Sequence, residues 1–143
     1  MAFLTFLISG ILLVASPDWL TNFAQAKTEA QASHKQILVN FSGSDWCGPC
    51  IKMKREVFDS ETFTAYAGSN LVLVNIDFPR LKRNQLPKEQ VQLNETLAEE
   101  FNKEGIFPLT LLLDENGKVL KTWRGNPGLD AADFVAQIQR SDK

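Results

Sequence analysis

The sequence is poor in the residue types that usually bind metals or cross-link small folds. Of its 143 residues, only two are cysteine and one, His34, is histidine. A scaffold held by disulfides uses more cysteines and spreads them along the chain, and a tetrahedral zinc site needs four ligands. We therefore expect no metal ion and no cofactor. The two cysteines, Cys47 and Cys50, lie three positions apart, so any cysteine chemistry is concentrated at one place.

An excess of charge of one sign is also lacking. The chain has 15 Lys and Arg residues against 17 Asp and Glu residues, a net charge of −2. Such a chain has no positive field that would recruit nucleic acid or an anionic membrane, so we expect no nucleic-acid partner. The hydrophobic fraction of 44% and the charged fraction of 22% are typical of a globular protein, and the length predicts one domain.

No apolar run reaches the roughly 20 residues that a comfortable membrane span takes. The longest run, residues 2–15, is followed by Ser16-Pro17 and then by Ala24-Gln25-Ala26. An apolar stretch followed by a small-x-small site is the pattern of a secretory signal peptide. We predict a signal peptide over residues 1–26, a domain over residues 27–143, and an exported protein in the periplasm or another extracytoplasmic space. Because no Lys or Arg precedes the run, a retained membrane anchor and a buried N-terminal helix are the alternatives.

The rest of the chain alternates strand-like and helix-like patterns. Its β-branched and aromatic runs predict strands, and apolar spacings of three and four predict helices. The predicted order is β-α-β-α-β-β-α, an α/β three-layer sandwich with parallel strands first and a hairpin last. The predicted strands cover residues 37–41, 71–76, 109–113 and 119–123; the predicted helices begin at Cys47, at Asp59 or Ser60, at Lys88 and at Asp130. The helix from Lys88 is predicted to reach Glu104, with Leu93, Leu97 and Phe101 facing inward.

The run Trp46-Cys47-Gly48-Pro49-Cys50 lies between the first of these strands and a helix. Unpaired N–H groups and the helix dipole at a helix N-terminus stabilise a thiolate. The spacing therefore predicts Cys47 as the attacking nucleophile and Cys50, one turn on and more buried, as the resolving thiol. Gly48 and Pro49 keep the turn compact, and Trp46 is expected to shield one side of the pair. A zinc half-site, a structural disulfide and two unrelated buried cysteines are the alternative interpretations.

From about residue 36 onward the chain resembles the thioredoxin family. Residues 46–50 are identical to the family's active-site motif, residues 74–77 look like its central strand, and residues 105–110 resemble its cis-proline loop. The resemblance implies a thioredoxin fold, with a central mixed sheet of four to five strands flanked by helices, and a redox-active Cys47–Cys50 disulfide. It also implies that Pro108 is cis and that the backbone of Phe107 pairs with an extended substrate segment beside Cys47.

Two features depart from the family pattern. The family's buried acid, which helps to move the proton of the resolving thiol, corresponds to Asn40, and an amide does not titrate. Asp45 is closer in sequence to Cys47, so Asn40 and Asp45 are both candidates for proton transfer or modulation, and the acid/base group stays open. The second departure is a long segment from residue 78 to 89, which carries Arg80, Lys82, Arg83 and Lys88. Such charges most often form a solvated face, and a partner-docking surface is the alternative.

The leading hypothesis is an enzyme that reduces or isomerises disulfides in exported proteins by dithiol exchange. Its partners would be disulfide-containing or dithiol proteins and an upstream dithiol donor, membrane-bound or soluble, and we expect a monomer. The Gly-Pro pair resembles that of reducing thioredoxins, so a thiol oxidant that donates disulfides is the rival within the same chemistry. A non-catalytic chaperone or assembly module would instead use the groove beside Pro108 without turnover. A donor dedicated to one partner, as in apocytochrome or copper-site maturation, is also left open.

Overall fold

The computed structural model describes residues 16–141, and every element named below lies within them. The strands are β1 (Trp19–Leu20), β2 (Gln36–Ser42), β3 (Leu71–Asp77), β4 (Leu109–Leu113) and β5 (Val119–Arg124). The helices are α1 (Phe23–Ser33), α2 (Gly48–Met53), α3 (Glu61–Asn70), α4 (Lys88–Phe101) and α5 (Ala131–Arg140). A π turn (Lys54–Phe58) extends α2, and a short 3₁₀ turn (Lys82–Asn84) lies in the loop before α4.

The five strands form one mixed sheet in the order β1-β3-β2-β4-β5. Strands β1 and β2 run parallel to β3, whereas β4 runs antiparallel to both β2 and β5. Helices α1 and α4 pack on one face of the sheet, and α3 and α5 pack on the other. The predicted thioredoxin fold, a three-layer sandwich around a mixed sheet, is confirmed. Because β2 is the central strand, the loop that leaves its C-terminal end starts from the middle of one sheet edge.

The side chains of β2 explain why this strand lies at the centre. Ile37 and Val39 belong to the apolar cluster beneath α1 and α4, and Leu38 between them belongs to the cluster beneath α3 and α5. Successive side chains of a strand point to opposite faces, so an unbroken apolar run requires cover on both sides. All three side chains are at most 1% exposed, as the run predicted.

The folded unit begins before the predicted domain boundary at residue 27. Strand β1, which includes Trp19, pairs with β3, and α1 begins at Phe23. The boundary between residues 26 and 27 therefore falls inside α1, where Ala26 is fully buried. A strand of two residues has no periodicity, which explains why the sequence pattern did not predict it. Cleavage of a signal peptide stays a prediction, and the apolar run of residues 2–15 lies outside the described residues.

Helix α4 is shorter than predicted, and of the three residues expected to face inward, Leu97 and Phe101 do so but Leu93 does not. The helix ends at Phe101 rather than Glu104, and Leu93, which was expected to face inward, is 45% exposed. Asn94 is buried in its place, at 2% exposure. The Asn94 Nδ2–H donates to the backbone carbonyl of Asp77 at 2.9 Å, so the helix satisfies a polar group at the end of β3. The apolar spacing alone could not indicate that requirement.

Candidate active site

The two cysteines lie at the start of α2, one short loop after β2. Cys47 is the N-cap residue, and its Sγ accepts a hydrogen bond from the backbone N–H of Cys50 at 3.3 Å. Pro49 occupies the first turn of the helix, where its missing N–H leaves no helical hydrogen bond unmade. The two residues form a disulfide, with their Cα atoms 5.2 Å apart. The motif therefore has the strand–loop–helix setting that its sequence predicted.

In this disulfide form the two cysteines are almost equally covered. Cys47 is 5% exposed and Cys50 is 4% exposed, so the expected difference in their burial is slight. A reaction partner that attacks the pair must therefore approach through the residues that surround it. The loops after β3, before β4 and after β5 contact the motif residues next to the cysteines.

Trp46 is held on three sides next to Cys47. Its indole Nε1–H donates to the backbone carbonyl of Phe78 at 2.7 Å, and its ring meets Phe107 edge-to-face with a centroid distance of 5.4 Å. The guanidinium carbon of Arg80 lies 3.6 Å from the centroid of the indole. A cation–π contact at an exposed site contributes about 0.5–1 kcal/mol. The structure thus gives the indole one fixed position beside the cysteine pair.

Gly43 is a residue of the site that the sequence analysis missed. A Cβ atom at this position would overlap the Trp46 indole, so the ring lies against the backbone only because residue 43 lacks a side chain. The signal was present as a glycine between the strand and the motif. A glycine in such a loop is equally typical of an ordinary turn, so it could not be singled out.

The loop before β4 contains backbone groups that are not used in hydrogen bonds. The peptide bond between Phe107 and Pro108 is cis, and the carbonyl of Pro108 accepts a hydrogen bond from the Gly125 N–H at 2.8 Å. Within residues 16–141, the backbone N–H and C=O of Phe107 have no hydrogen-bond partner. The Phe107 ring packs between Trp46 and Phe78, at centroid distances of 5.4 and 5.5 Å. The side chain is therefore used in packing, while the backbone can still pair with another chain.

Asp45 links the loop before Cys47 to the loop after β3. Its carboxylate accepts hydrogen bonds from the backbone N–H groups of Arg80 and Leu81, both at 2.9 Å, and from the side-chain amide of Asn84 at 3.0 Å. The Arg80 hydrogen bond, helped by those from Asn84 and Leu81 and opposed by desolvation, holds the pKa of Asp45 below its ordinary value. Both carboxylate oxygens are engaged by this loop, and the group is ionised at neutral pH.

Asn40 lies on β2 and is 7% exposed. Its Oδ1 accepts a hydrogen bond from the hydroxyl of Thr110 at 3.1 Å. Asn40 and Cys50 both line a cavity of about 250 Å³, whose wall also includes Ser42, Asn75, Trp19, Ile51 and Lys54. No carboxylate among the described residues lines this cavity, and the ammonium of Lys54 is paired with Asp59 at 2.7 Å. The cavity reaches the surface at the exposed side chains of Ile51 and Lys54.

The single histidine takes no part in this site. His34 Nδ1 lies 3.1 Å from Glu115 Oε2, in the turn between β4 and β5. Within the described part of the chain, no group of three or more His, Cys, Asp or Glu side chains could hold a metal ion. The same residues contain no helix that is both long and apolar enough to cross a membrane.

Comparison with known proteins places these features in a family context. A family model described as "Thioredoxin-like" matches residues 18–114, a range that begins just before β1. The curated relative "Disulfide bond reductase DsbH" of Chlamydia pneumoniae is 35% identical over 132 residues, which cover 92% of this chain and 76% of that protein. "Thioredoxin-related protein DsbJ" of the same organism is 27% identical over 126 residues, covering 87% of this chain but 36% of its own length.

A solved structure agrees with these sequence matches. The structure titled "DsbH Oxidoreductase" superposes with a TM-score of 0.81 at 31% sequence identity. The alignment covers 98% of this chain and 94% of the solved chain. The likeness therefore extends over the full set of elements described above.

Proposed function

The chain belongs to the thioredoxin-like family and is a thiol–disulfide oxidoreductase, and from this premise we propose that it reduces or isomerises disulfides in exported proteins through Cys47 and Cys50. The observation that carries the proposal is the Cys47–Cys50 disulfide at the N-terminus of α2, within a run identical to the thioredoxin motif. The reducing direction is supported by the Gly-Pro pair between the cysteines and by the name of the DsbH relative, a disulfide bond reductase.

In the proposed reaction, the reduced protein attacks a substrate disulfide with the Cys47 thiolate. The N–H groups at the start of α2, including that of Cys50, stabilise this thiolate because they have no helical acceptor. The attack forms a mixed disulfide and releases one substrate thiolate, which takes up a proton. Cys50 then loses its proton and attacks Cys47 Sγ, so the second substrate thiol leaves and the Cys47–Cys50 disulfide forms. An upstream dithiol donor returns two electrons and two protons to the pair.

The substrate is proposed to bind as an extended segment against the backbone of Phe107. The unpaired N–H and C=O of this residue are the groups that strand addition requires. Trp46 and Pro108 border the same place, and the side-chain amide of Asn126 approaches the Pro49 carbonyl at 3.4 Å. On this proposal Trp46, Gly48, Pro49, Phe107 and Pro108 position the substrate, and Cys47 and Cys50 react with it.

The proton of Cys50 is proposed to leave through water in the cavity beside it. Asn40 does not titrate, and Asp45 is ionised with both oxygens engaged by the loop after β3. We therefore assign Asp45 an anchoring role, and we assign Asn40 the role of a neutral wall next to Cys50. The cavity wall is partly apolar but includes hydroxyl and amide groups that can bind water, and the cavity reaches the surface.

The location is proposed to be extracytoplasmic, in the periplasm of a bacterial cell. The apolar run and the small residues that follow it support export through a signal peptide, with a retained anchor as the alternative. Partners of the proposed reaction are disulfide-exchange proteins of the kind that the Dsb relatives represent. If the leader is removed, the cut is expected upstream of Trp19, because β1 belongs to the folded unit.

The proposal is tested by trapping partners with Cys50→Ala, which lacks the resolving thiol. We expect mixed disulfides at Cys47 that are released by reducing agent, and none with Cys47→Ser/Cys50→Ala as the matched control. The wild-type protein should also catalyse the reduction of insulin disulfides by dithiothreitol. Absence of both trapping and turnover, with retained suppression of aggregation by Cys47→Ser, would show a binding module instead.

A further inference from the structure

The loop after β3 carries a row of cations that the proposed chemistry does not use. Arg80, Lys82 and Arg83 are exposed, and we name these three residues the cationic ridge. Among the described residues, no ion pair includes any of these three cations, so no carboxylate pairs with the ridge. Of the basic residues that follow the motif, Lys54 and Arg55 are paired with neighbouring acids, whereas Lys52, like the ridge, is in no ion pair within residues 16–141. The ridge therefore presents uncompensated positive charge on a protein whose net charge is −2.

The ridge is fixed relative to the cysteine pair. Asp45 lies two residues before Cys47 and accepts three hydrogen bonds from the ridge loop. The side-chain amide of Gln85 donates to the carbonyls of Pro79 and Leu81, at 3.1 and 3.3 Å, and so closes the loop on itself. The carboxylate of Asp45 reduces the local charge, but its oxygens are turned to backbone and amide donors, not to the guanidinium groups.

Arg80 brings this charge to the rim of the reactive site. Its guanidinium lies over the indole of Trp46, which contacts the ring of Phe107 in turn. A segment that pairs with the Phe107 backbone should therefore pass close to Arg80. Leu81, which is 39% exposed, adds an apolar side chain within the same loop.

We propose that the cationic ridge is a docking surface for an acidic segment that flanks the reacting cysteine of a partner protein. This inference rests on the proposed function, because it concerns which disulfides Cys47 reaches, while the exchange step itself is unchanged. Unpaired like charges beside a reactive group attract opposite charge on an approaching chain and raise its association rate. The effect falls with ionic strength, since the Debye length shrinks from about 10 Å at 0.1 M to about 3 Å at 1 M salt.

The test compares three disulfides with the reduced protein by stopped-flow tryptophan fluorescence. Two are peptide disulfides that differ only in carrying Asp or Lys on both sides of the cysteine, and the third is uncharged bis(2-hydroxyethyl) disulfide. At low salt we expect the acidic peptide to react about tenfold faster than the basic one. At 1 M salt the two rates should converge.

Two variants with the same change in net charge distinguish the effect of the ridge from the effect of the protein's overall charge. Lys82→Glu/Arg83→Glu reverses charge on the ridge without touching Trp46, and should abolish or invert the preference. Lys27→Glu/Lys118→Glu changes charge beside the β4–β5 turn, where the Lys27 side chain lies close to Gly117. This variant should retain the preference for the acidic peptide. Equal rates for the two peptides with the wild-type protein, or a preference that survives the ridge variant, would overturn the inference. No reaction with any of the three disulfides would overturn the proposed function, and the ridge inference with it.

Discussion

Deletion of residues 1–26 should destabilise the fold far more than deletion of residues 1–16, because β1 and the start of α1 lie between the two ends. The Trp19 ring packs on Phe58 and Phe63, with centroid distances of 5.2 and 6.4 Å. A fully buried Trp contributes about 3–5 kcal/mol relative to Ala, so the half-buried Trp19 should contribute about 2 kcal/mol. The side chain of Asn22 accepts a hydrogen bond from the Gln25 N–H at 3.1 Å, and loss of this cap costs about 1 kcal/mol.

Two further side chains are lost with the longer deletion. Leu20 and Phe23 are partly buried against the core beneath α1 and α4, and the Phe23 ring meets Phe101 at a centroid distance of 5.7 Å. Burial of this extent stabilises the fold by about 1 kcal/mol for each side chain. The expected total is about 5 kcal/mol, which is comparable with the whole unfolding free energy of a marginally stable domain.

Equilibrium urea denaturation, followed by far-ultraviolet circular dichroism, measures the difference between chains 17–143 and 27–143. Trp19→Ala in the longer chain should lie between them, about 2 kcal/mol below its parent. Equal unfolding free energies for the two chains would refute the role assigned to β1. That result would also remove the physical objection to cleavage after Ala26.

Three other substitutions test separate parts of the account. Because the folded pKa of Asp45 is lowered, its carboxylate contributes stability above about pH 4, and this is lost as pH falls through the folded value. Asp45→Asn should therefore be less stable than wild type at pH 7, by a difference that shrinks as pH is lowered towards 2.5, and urea midpoints that differ equally at both pH values would contradict the anchoring role. Asn40→Asp places a carboxyl group at a buried site, and burial raises the pKa of such a group. The unfolding free energy of this variant should therefore fall as pH rises above about 4, and the loss should reach about 2–4 kcal/mol at pH 7. The same variant should add a second ionisation to the pH profile of mixed-disulfide resolution, and an unchanged profile would exclude proton transfer at this position. Asn94→Ala leaves the Asp77 carbonyl without its donor and should cost about 1–3 kcal/mol, whereas Leu93→Ala, at an exposed position, should cost much less in the same urea titration.

The parts of the fold that the sequence predicted correctly depend on local signals. Helices were expected to begin at Asp59 or Ser60 and at Asp130. Ser60 and Asp130 are the N-caps, and each accepts a hydrogen bond from the N–H three residues on, at 3.1 and 2.8 Å. The central strand was evident because a continuous apolar run has few other stable places in a domain. The cysteine pair was identified because its spacing, its proline and the preceding strand all indicated the same site.

The parts that the sequence did not predict depend on contacts between distant segments. Asp45 engages the backbone of Arg80, 35 residues further along the chain, so its low pKa and its anchoring contacts have no local signature. Asn94 replaced Leu93 as an inward residue because the end of β3 needed a hydrogen-bond donor. Strand β1 is too short to have a pattern and exists because Trp19 fills a site against Phe58. In each case the physical cause lies in tertiary packing.

The reduction potential of the Cys47–Cys50 pair is the most direct test of the central claim. The protein would be equilibrated with glutathione buffers and the two redox forms separated by thiol alkylation. The account predicts one reversible two-electron transition near that of thioredoxin, about −270 mV. A value near −120 mV, typical of a strong oxidant, would contradict the reducing direction. A pair that does not titrate would contradict the oxidoreductase assignment itself.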